Sequence, residues 1–308
     1  MSKKVLLATE KPFAKIAVDG IQNIFDEAGY TLVKLEKYTE KSDLLKAVAN
    51  VDALIVRSDK ITAEAIDAAP QLKIVVRAGA GYDNIDLQAA TARGICVQNT
   101  PGQNSNAVAE LAFGLMLYLA RKKLIEGNGF ELRNKKLGIH AYGNVGRYVA
   151  KIAAGFGMQI YAYDAFVPAD AIRADGVTPC ATVEELYQTC DIISLHIPAN
   201  EQTKKSINKT LLSSMKKGAM LINTARKEVI DEEALKQVMA QREDFRYATD
   251  IAPDCHAELV EKYANRYHAT KKKMGAETSE ANINAGLAAA RQIVNFFEKG
   301  DCTFQVNK

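Results

Sequence analysis

The chain offers no disulfide framework, no zinc-ligand pattern, no long apolar span and almost no surplus of charge. Its five cysteines (Cys96, Cys180, Cys190, Cys255 and Cys302) are odd in number and never spaced C-x-x-C. That pattern predicts free thiols in a reducing compartment and no bound metal. The longest apolar run, 111–120, stops at Arg121-Lys122-Lys123, well short of the roughly twenty residues a bilayer requires. The N-terminus, MSKKVLLATEK, has neither an apolar signal core nor a cleavage site, so a cytoplasmic protein is expected. Forty Lys and Arg against thirty-seven Asp and Glu leave a net charge of +3. This balance argues against a dedicated nucleic-acid or membrane partner.

What is present is ordinary globular composition, 48% apolar and 25% charged, over 308 residues. That length is about twice a typical domain, so two domains are expected. Short β-rich runs at 5–8, 31–35, 53–57, 73–78 and 95–99 are followed by a second series at 136–141, 159–164, 191–197, 219–225 and 245–251. Helix-length amphipathic stretches separate them, for example 14–28, 183–190 and 232–241. Such alternation predicts an α/β protein with two doubly wound parallel-sheet domains. Residues 101–123 read as a long apolar connector helix behind a Pro-Gly turn. Residues 278–300 read as a second long helix, capped by Thr278 or Ser279 and ended by Gly300.

The segment LGIHAYGNVGRYVAKIAAGFGMQIYAYD (137–164) carries a definite mechanism. A strand runs into Ala141-Tyr142-Gly143-Asn144-Val145-Gly146, a helix follows, and a second strand ends at Asp164. This is the dinucleotide fingerprint in its strand–turn–helix–strand context, with Ala141 in place of the first glycine. Gly143 admits a pyrophosphate to the backbone, Gly146 lets helix and strand approach, and the helix N-terminus holds the phosphates. Asp164, 18 residues beyond Gly146, suits a ribose 2′-hydroxyl and repels a 2′-phosphate, which selects NAD over NADP. His140, one residue before the turn, reads as a satisfied core histidine.

Taken in order, VRSDKIT (56–62), LKIVVRAGAGYDNIDLQAATARGICVQNTPG (72–102), the A-Y-G-N-V-G turn, LHIP (195–198), INTAR (222–226), ATDIA (248–252) and MGAET (274–278) resemble the D-2-hydroxyacid dehydrogenase family, and within it the phosphoglycerate dehydrogenase branch. The resemblance implies a Rossmann cofactor domain, residues 99–282, inserted in a flavodoxin-like substrate domain made of 1–98 and 283–308. It implies NAD contacts from Gly143, Asn144, Val145, Gly146, Asp164, Ile197, Pro198, Thr224, Ala225, Asp250 and Gly275. Asp250 matches the family's aspartate near the nicotinamide carboxamide. Arg226 matches the catalytic arginine, whose planar guanidinium can bridge a carboxylate and the adjacent oxygen.

The acid/base pair departs from the family. A glutamate is usual five residues after the aspartate and a histidine before the final x-G-A-x-T; here Cys255 and Lys273 stand there. A lysine has no tautomer to fix and needs no carboxylate orienter. Lys273 is therefore expected as general acid/base, its pKa drawn down by desolvation and by Arg226, Lys271 and Lys272. The competing reading is that 271–273 is a solvated basic run.

For the substrate, Arg57 and Arg77 stand at strand ends, and the small residues Ala78, Gly79, Ala80 and Gly81 leave backbone N–H groups for a carboxylate. By resemblance Arg57 holds a phosphate with Ser58 beside it, and Asn104 is a further contact. Several cations suit a substrate bearing both carboxylate and phosphate. The expected reaction is NAD-dependent oxidation of 3-phospho-D-glycerate to 3-phosphohydroxypyruvate, the entry step to serine. The alternatives are the same chemistry on glyoxylate, hydroxypyruvate or D-lactate, and a non-catalytic NAD-sensing interaction protein. The resemblance implies a homodimer through the connector helix, with Arg121 and Lys122 as candidates to reach a neighbouring subunit. Only eight residues follow Gly300, so no C-terminal regulatory domain answering to serine is expected.

Overall fold

The computed structural model describes residues 2–307. The chain divides into two compact units, residues 1–104 with 277–308, and residues 105–276. The expected crossings at 98/99 and 282/283 move to 104/105 and 276/277, because each crossing falls where a long helix begins rather than within its flank.

The first unit has a five-stranded, wholly parallel sheet: β1 (Lys4–Thr9), β2 (Thr31–Glu36), β3 (Ala53–Val56), β4 (Ile74–Arg77) and β5 (Cys96–Asn99), in the order β2-β1-β3-β4-β5. Helix α1 (Lys15–Glu27) crosses from β1 to β2; α2 (Lys41–Val48), α3 (Ala63–Asp67) and α4 (Leu87–Ala92) follow β2, β3 and β4. Side chains alternate across the sheet, so Leu6, Ala8, Leu54 and Val56 pack with Leu44 of α2 on one face. Val5, Leu7 and Ile55 pack with α1 and the C-terminal helix on the other.

In the second unit, α5 (Ser105–Ala120) leads to β6 (Lys136–His140), α6 (Asn144–Gly155), β7 (Gln159–Tyr163), α7 (Ala169–Ala174), β8 (Thr178–Pro179), α8 (Val183–Thr189) and β9 (Ile192–Leu195). Then come α9 (Lys209–Ser214), β10 (Met220–Asn223), α10 (Glu232–Gln241), β11 (Arg246–Thr249), α11 (His256–Tyr263) and β12 (Tyr267–Ala269). Its seven strands, ordered β12-β11-β10-β9-β6-β7-β8, are all parallel. The edge strands β8 and β12 are too short to show a pattern in the sequence. Helix α5 is apolar nearly all round because Ala109, Ala112, Met116 and Leu119 are buried beneath the sheet while Phe113 stacks on Phe156 at 5.0 Å.

Helix α12 (Ser279–Lys299) returns to the first unit and packs on α1, β3 and β4. The Thr278 side chain accepts from the Ala281 N–H, and Gly300 closes the helix in the left-handed region at φ 66°. Both signals stand where the sequence places them.

Candidate active site

In a doubly wound sheet the ligand crevice opens at the carboxyl ends of the strands where their order reverses. In the second unit that point lies between β6 and β9. The turn after β6 brings Gly143 to the N-cap of α6, with no side chain capping the helix and no acidic residue in its first turn. A Cβ on Gly143 would meet nothing within 4 Å, so the backbone there is open to a ligand. A Cβ on Gly146 would lie 2.4 Å from the Ala141 carbonyl oxygen, which explains why helix and strand can approach only through glycine. Asn144 and Val145 form the first turn of α6 between them. Ala141 adopts φ 78°, a conformation strained for a residue with a Cβ.

Asp164 closes the other side of this turn. Its Oδ2 accepts from the Tyr142 N–H at 2.7 Å, and Oδ1 accepts from the Phe166 and Val167 N–H groups at 2.8 and 3.0 Å. Of the roughly four lone-pair sites of a carboxylate, one remains for a ribose hydroxyl. The carboxylate is held rigidly against a 2′-phosphate. The uncapped helix end, the open Gly143 and this fixed acid together fit NAD.

Ile197 is buried and Pro198 exposed just past β9, where the His196 N–H donates to the His140 carbonyl oxygen at 2.9 Å. His196 links Ser194 Oγ through Nε2 (2.9 Å) to Thr224 Oγ1 near Nδ1 (3.5 Å). Burial, with His140 nearby, pushes its pKa down to about 3, and it is a neutral connector. His140 is buried, bonds Tyr187 at 3.2 Å and is pushed down to about 4 by burial, as a satisfied core histidine should be.

After β10, buried Asn223 shapes the loop: its Oδ1 accepts from the Ala225 N–H at 2.9 Å and its Nδ2 donates to the Arg226 carbonyl at 2.9 Å. Thr224, Ala225 and Arg226 are thereby set at the strand's carboxyl end. The Arg226 guanidinium donates to Ala225 O at 3.0 Å and has no carboxylate partner among the described residues, so most of its fork is available.

Asp250, just past β11, is held by donors from its own chain. It is 1% exposed. Oδ1 accepts from the Met274 N–H (2.7 Å) and the Thr270 hydroxyl (3.1 Å), and Oδ2 from the Gly275 N–H (2.9 Å). Its carboxylate therefore clasps the loop that bears Lys273, and Gly275 is a rung of that clasp. Burial raises the Asp250 pKa, while these donors and the Lys273 charge lower it. Lys273 is exposed and has a carboxylate in electrical contact where none was expected. Thr270, a part of this clasp, carries no local signal in the sequence.

Neither neighbour of the missing glutamate substitutes for it. Exposed Asp254 pairs with Lys227. Burial and Glu232 push the Cys255 thiol up to about 12, which keeps it protonated.

In the first unit, the Arg57 guanidinium donates to Lys11 O (3.1 Å), Pro12 O (3.3 Å) and Asn282 Oδ1, and stacks 5.1 Å from the Phe13 ring. It has no carboxylate partner among the described residues. Arg77 Nε donates to the Arg57 carbonyl at 3.0 Å, tying the Arg77 side chain to the main chain at the end of β3. Gly79, at φ 154°, leaves room for the Arg77 side chain, which a Cβ would strike at 1.4 Å.

Two expectations need correction. The Ala78 N–H is used by Val56 O and the Gly79 N–H by Arg77 O; the amides without a partner among the described residues are those of Ala80 and Gly81. Ser58 does not accompany the Arg57 guanidinium: alternation at the end of β3 turns it to the α2 face, beside Lys60 and Thr62. Asn104 ends the first unit just before α5.

Comparison with known proteins decides the family. The model of the D-isomer specific 2-hydroxyacid dehydrogenase NAD-binding domain matches residues 117–264. A hydroxypyruvate reductase of Thermotoga maritima is 38% identical over 83% of this chain and 88% of its own length. The chain belongs to the D-isomer-specific 2-hydroxyacid dehydrogenases. Their cofactor here is NAD, as the cradle requires. A D-3-phosphoglycerate dehydrogenase of Methanocaldococcus jannaschii is 35% identical over 88% of this dehydrogenase, which spans only 54% of that relative. The NAD+-bound 3-phosphoglycerate dehydrogenase structure of Entamoeba histolytica is 48% identical, with a TM-score of 0.90, covering 100% of this chain and 99% of that one. No described helix is long and apolar enough to cross a membrane.

Proposed function

We propose that this dehydrogenase oxidises 3-phospho-D-glycerate at C2. The reading is carried by Arg57, just past β3, whose guanidinium has no carboxylate partner among the described residues, with Arg77 at the end of the neighbouring strand β4. In the first unit they take the phosphate, and the Ala80 and Gly81 N–H groups take carboxylate oxygens. In the second unit, the Arg226 fork matches a carboxylate and an adjacent oxygen. Lys273, on the loop that Asp250 clasps, accepts the proton of the C2 hydroxyl. NAD, when bound, supplies the hydride acceptor.

The test is Arg57→Ala. Loss of charge-assisted hydrogen bonds, worth about 1.5–3 kcal/mol, should raise KM for 3-phosphoglycerate by roughly 10- to 150-fold and change KM for hydroxypyruvate little. Equal losses on both substrates would remove Arg57 as the phosphate anchor. A second reading, reduction of hydroxypyruvate, is supported by the relative that this chain matches over 88% of its length; a substrate pair with and without phosphate separates the two.

A cytoplasmic homodimer belongs to the same proposal. Leu124 and Ile125, 73% and 79% exposed just beyond α5, supply apolar surface suited to a second copy. Sedimentation at micromolar concentration tests it, and a monomer would refute it.

A further inference from the structure

A second crevice, of about 380 Å³, opens in the first unit at the carboxyl ends of β1, β2 and β3. The order β2-β1-β3 makes this the sheet's reversal point, where doubly wound sheets receive ligands. It is not the Arg57 site. Arg57 points to Phe13 and α12, on the face that buries Leu7 and Ile55. The crevice lies on the opposite face, over Leu44 and Tyr38, which pack with Val56.

Its lining is chemically specific. Lys41 and Lys60 bring two ammonium groups, and Thr39, Ser58 and Thr62 bring three hydroxyls. Lys60 has no carboxylate partner among the described residues, while Lys41 is paired with exposed Glu64. The Thr62 Oγ1 is shut from solvent with no hydrogen-bond partner, although Thr62 stands at the N-cap of α3. A buried hydroxyl left unpaired is costly, and a χ1 rotation that turns it into the crevice would let a ligand oxygen satisfy it. Glu10 brings one carboxylate to the lining, an acceptor for hydroxyl groups. The frame is rigid: buried Asp59 accepts from the Glu10 N–H (2.7 Å), the Tyr38 hydroxyl (3.0 Å) and the Arg57 N–H (3.1 Å), tying all three strand ends together.

We propose that this crevice is a second, non-catalytic binding site for a small phosphate ester carrying free hydroxyl groups. Lys41, Lys60 and the hydroxyls of Ser58, Thr39 and Thr62 hold the phosphate, and Glu10 accepts from the ligand's hydroxyls. The proposal is independent of the substrate assigned above.

The test is calorimetric titration of the intact protein with glycerol 3-phosphate, using inorganic phosphate as competitor and glycerol as control. To separate the two anion sites, the titration is repeated in Arg57→Ala, where binding to the crevice should persist. Lys60→Ala and the isosteric Thr62→Val should each weaken it about tenfold or more while leaving the dehydrogenase KM unchanged. Binding that disappears in Arg57→Ala and survives both crevice variants would overturn the proposal. So would the absence of any binding to the wild-type protein at about 10 mM ligand, or a glycerol response equal to that of the ester.

Discussion

Replacing Asp250 by asparagine exchanges one carboxylate oxygen for an amide N–H₂ at a site that is 1% exposed and already faced by three donors. In the better orientation the amide oxygen keeps Met274 N–H and Thr270, and the new amide nitrogen meets the Gly275 N–H head-on. One charge-assisted bond is lost and two become neutral, which at about 1.5–3 kcal/mol for a charged bond and about 1 for a neutral one costs the loop roughly 3 kcal/mol. Loop opening should rise about 150-fold. Global stability should change much less, because burial raises the Asp250 pKa and the uncharged amide escapes that penalty. The sign is testable: with its folded pKa raised, Asp250 contributes stability at low pH that fades as pH climbs past the unfolded value of 3.8. Asparagine should abolish that slope. Hydrogen exchange at the Met274 and Gly275 amides, beside kcat and Tm, reads all three effects. Unchanged protection of those two amides would show that the carboxylate does not hold the Lys273 loop.

Lys273→Ala should lower kcat by about 10²- to 10⁴-fold, the usual worth of a positioned proton acceptor, without changing NAD affinity in a fluorescence titration; retention of most of kcat at every pH would refute the assignment. Ala141→Gly relieves the φ of 78° and should stabilise the fold by about 1 kcal/mol, or roughly 2–4 °C in Tm, and a fall in Tm would show that the alanine is not strained. His140, pushed down to about 4, is bound neutral in the folded state, so its contribution is lost as pH falls from about 6.5 to 4. At 1.36 kcal/mol per pKa unit that is about 3 kcal/mol; urea unfolding at pH 7 and pH 4.5 should show His140→Gln losing less stability between them than the wild type.

Local patterns carried far in this chain. Runs of β-branched residues set ten strands within a residue or two of their observed ends, since a buried parallel strand needs little beyond its own apolar side chains. The dinucleotide turn was legible because its chemistry lies within one strand, one turn and one helix. Thr278 and Gly300 marked the ends of α12 for the same reason. The two- and three-residue strands β8 and β12 left no period to detect, and they form only by pairing with β7 and β11.

The sequence by itself thus determined the alternation, the parallel sheets, the phosphate turn and the residue types available for catalysis. The tertiary structure alone decided how those residues are used. Asp250 reaches across more than twenty positions to hold the Lys273 loop. Arg77 closes on the Arg57 carbonyl from the neighbouring strand. Ser58, adjacent to Arg57 in sequence, turns to the opposite face of the sheet. Each outcome depends on hydrogen bonds between residues far apart in the chain, or on the direction a side chain takes once its strand is paired, and neither is present until the sheet has formed.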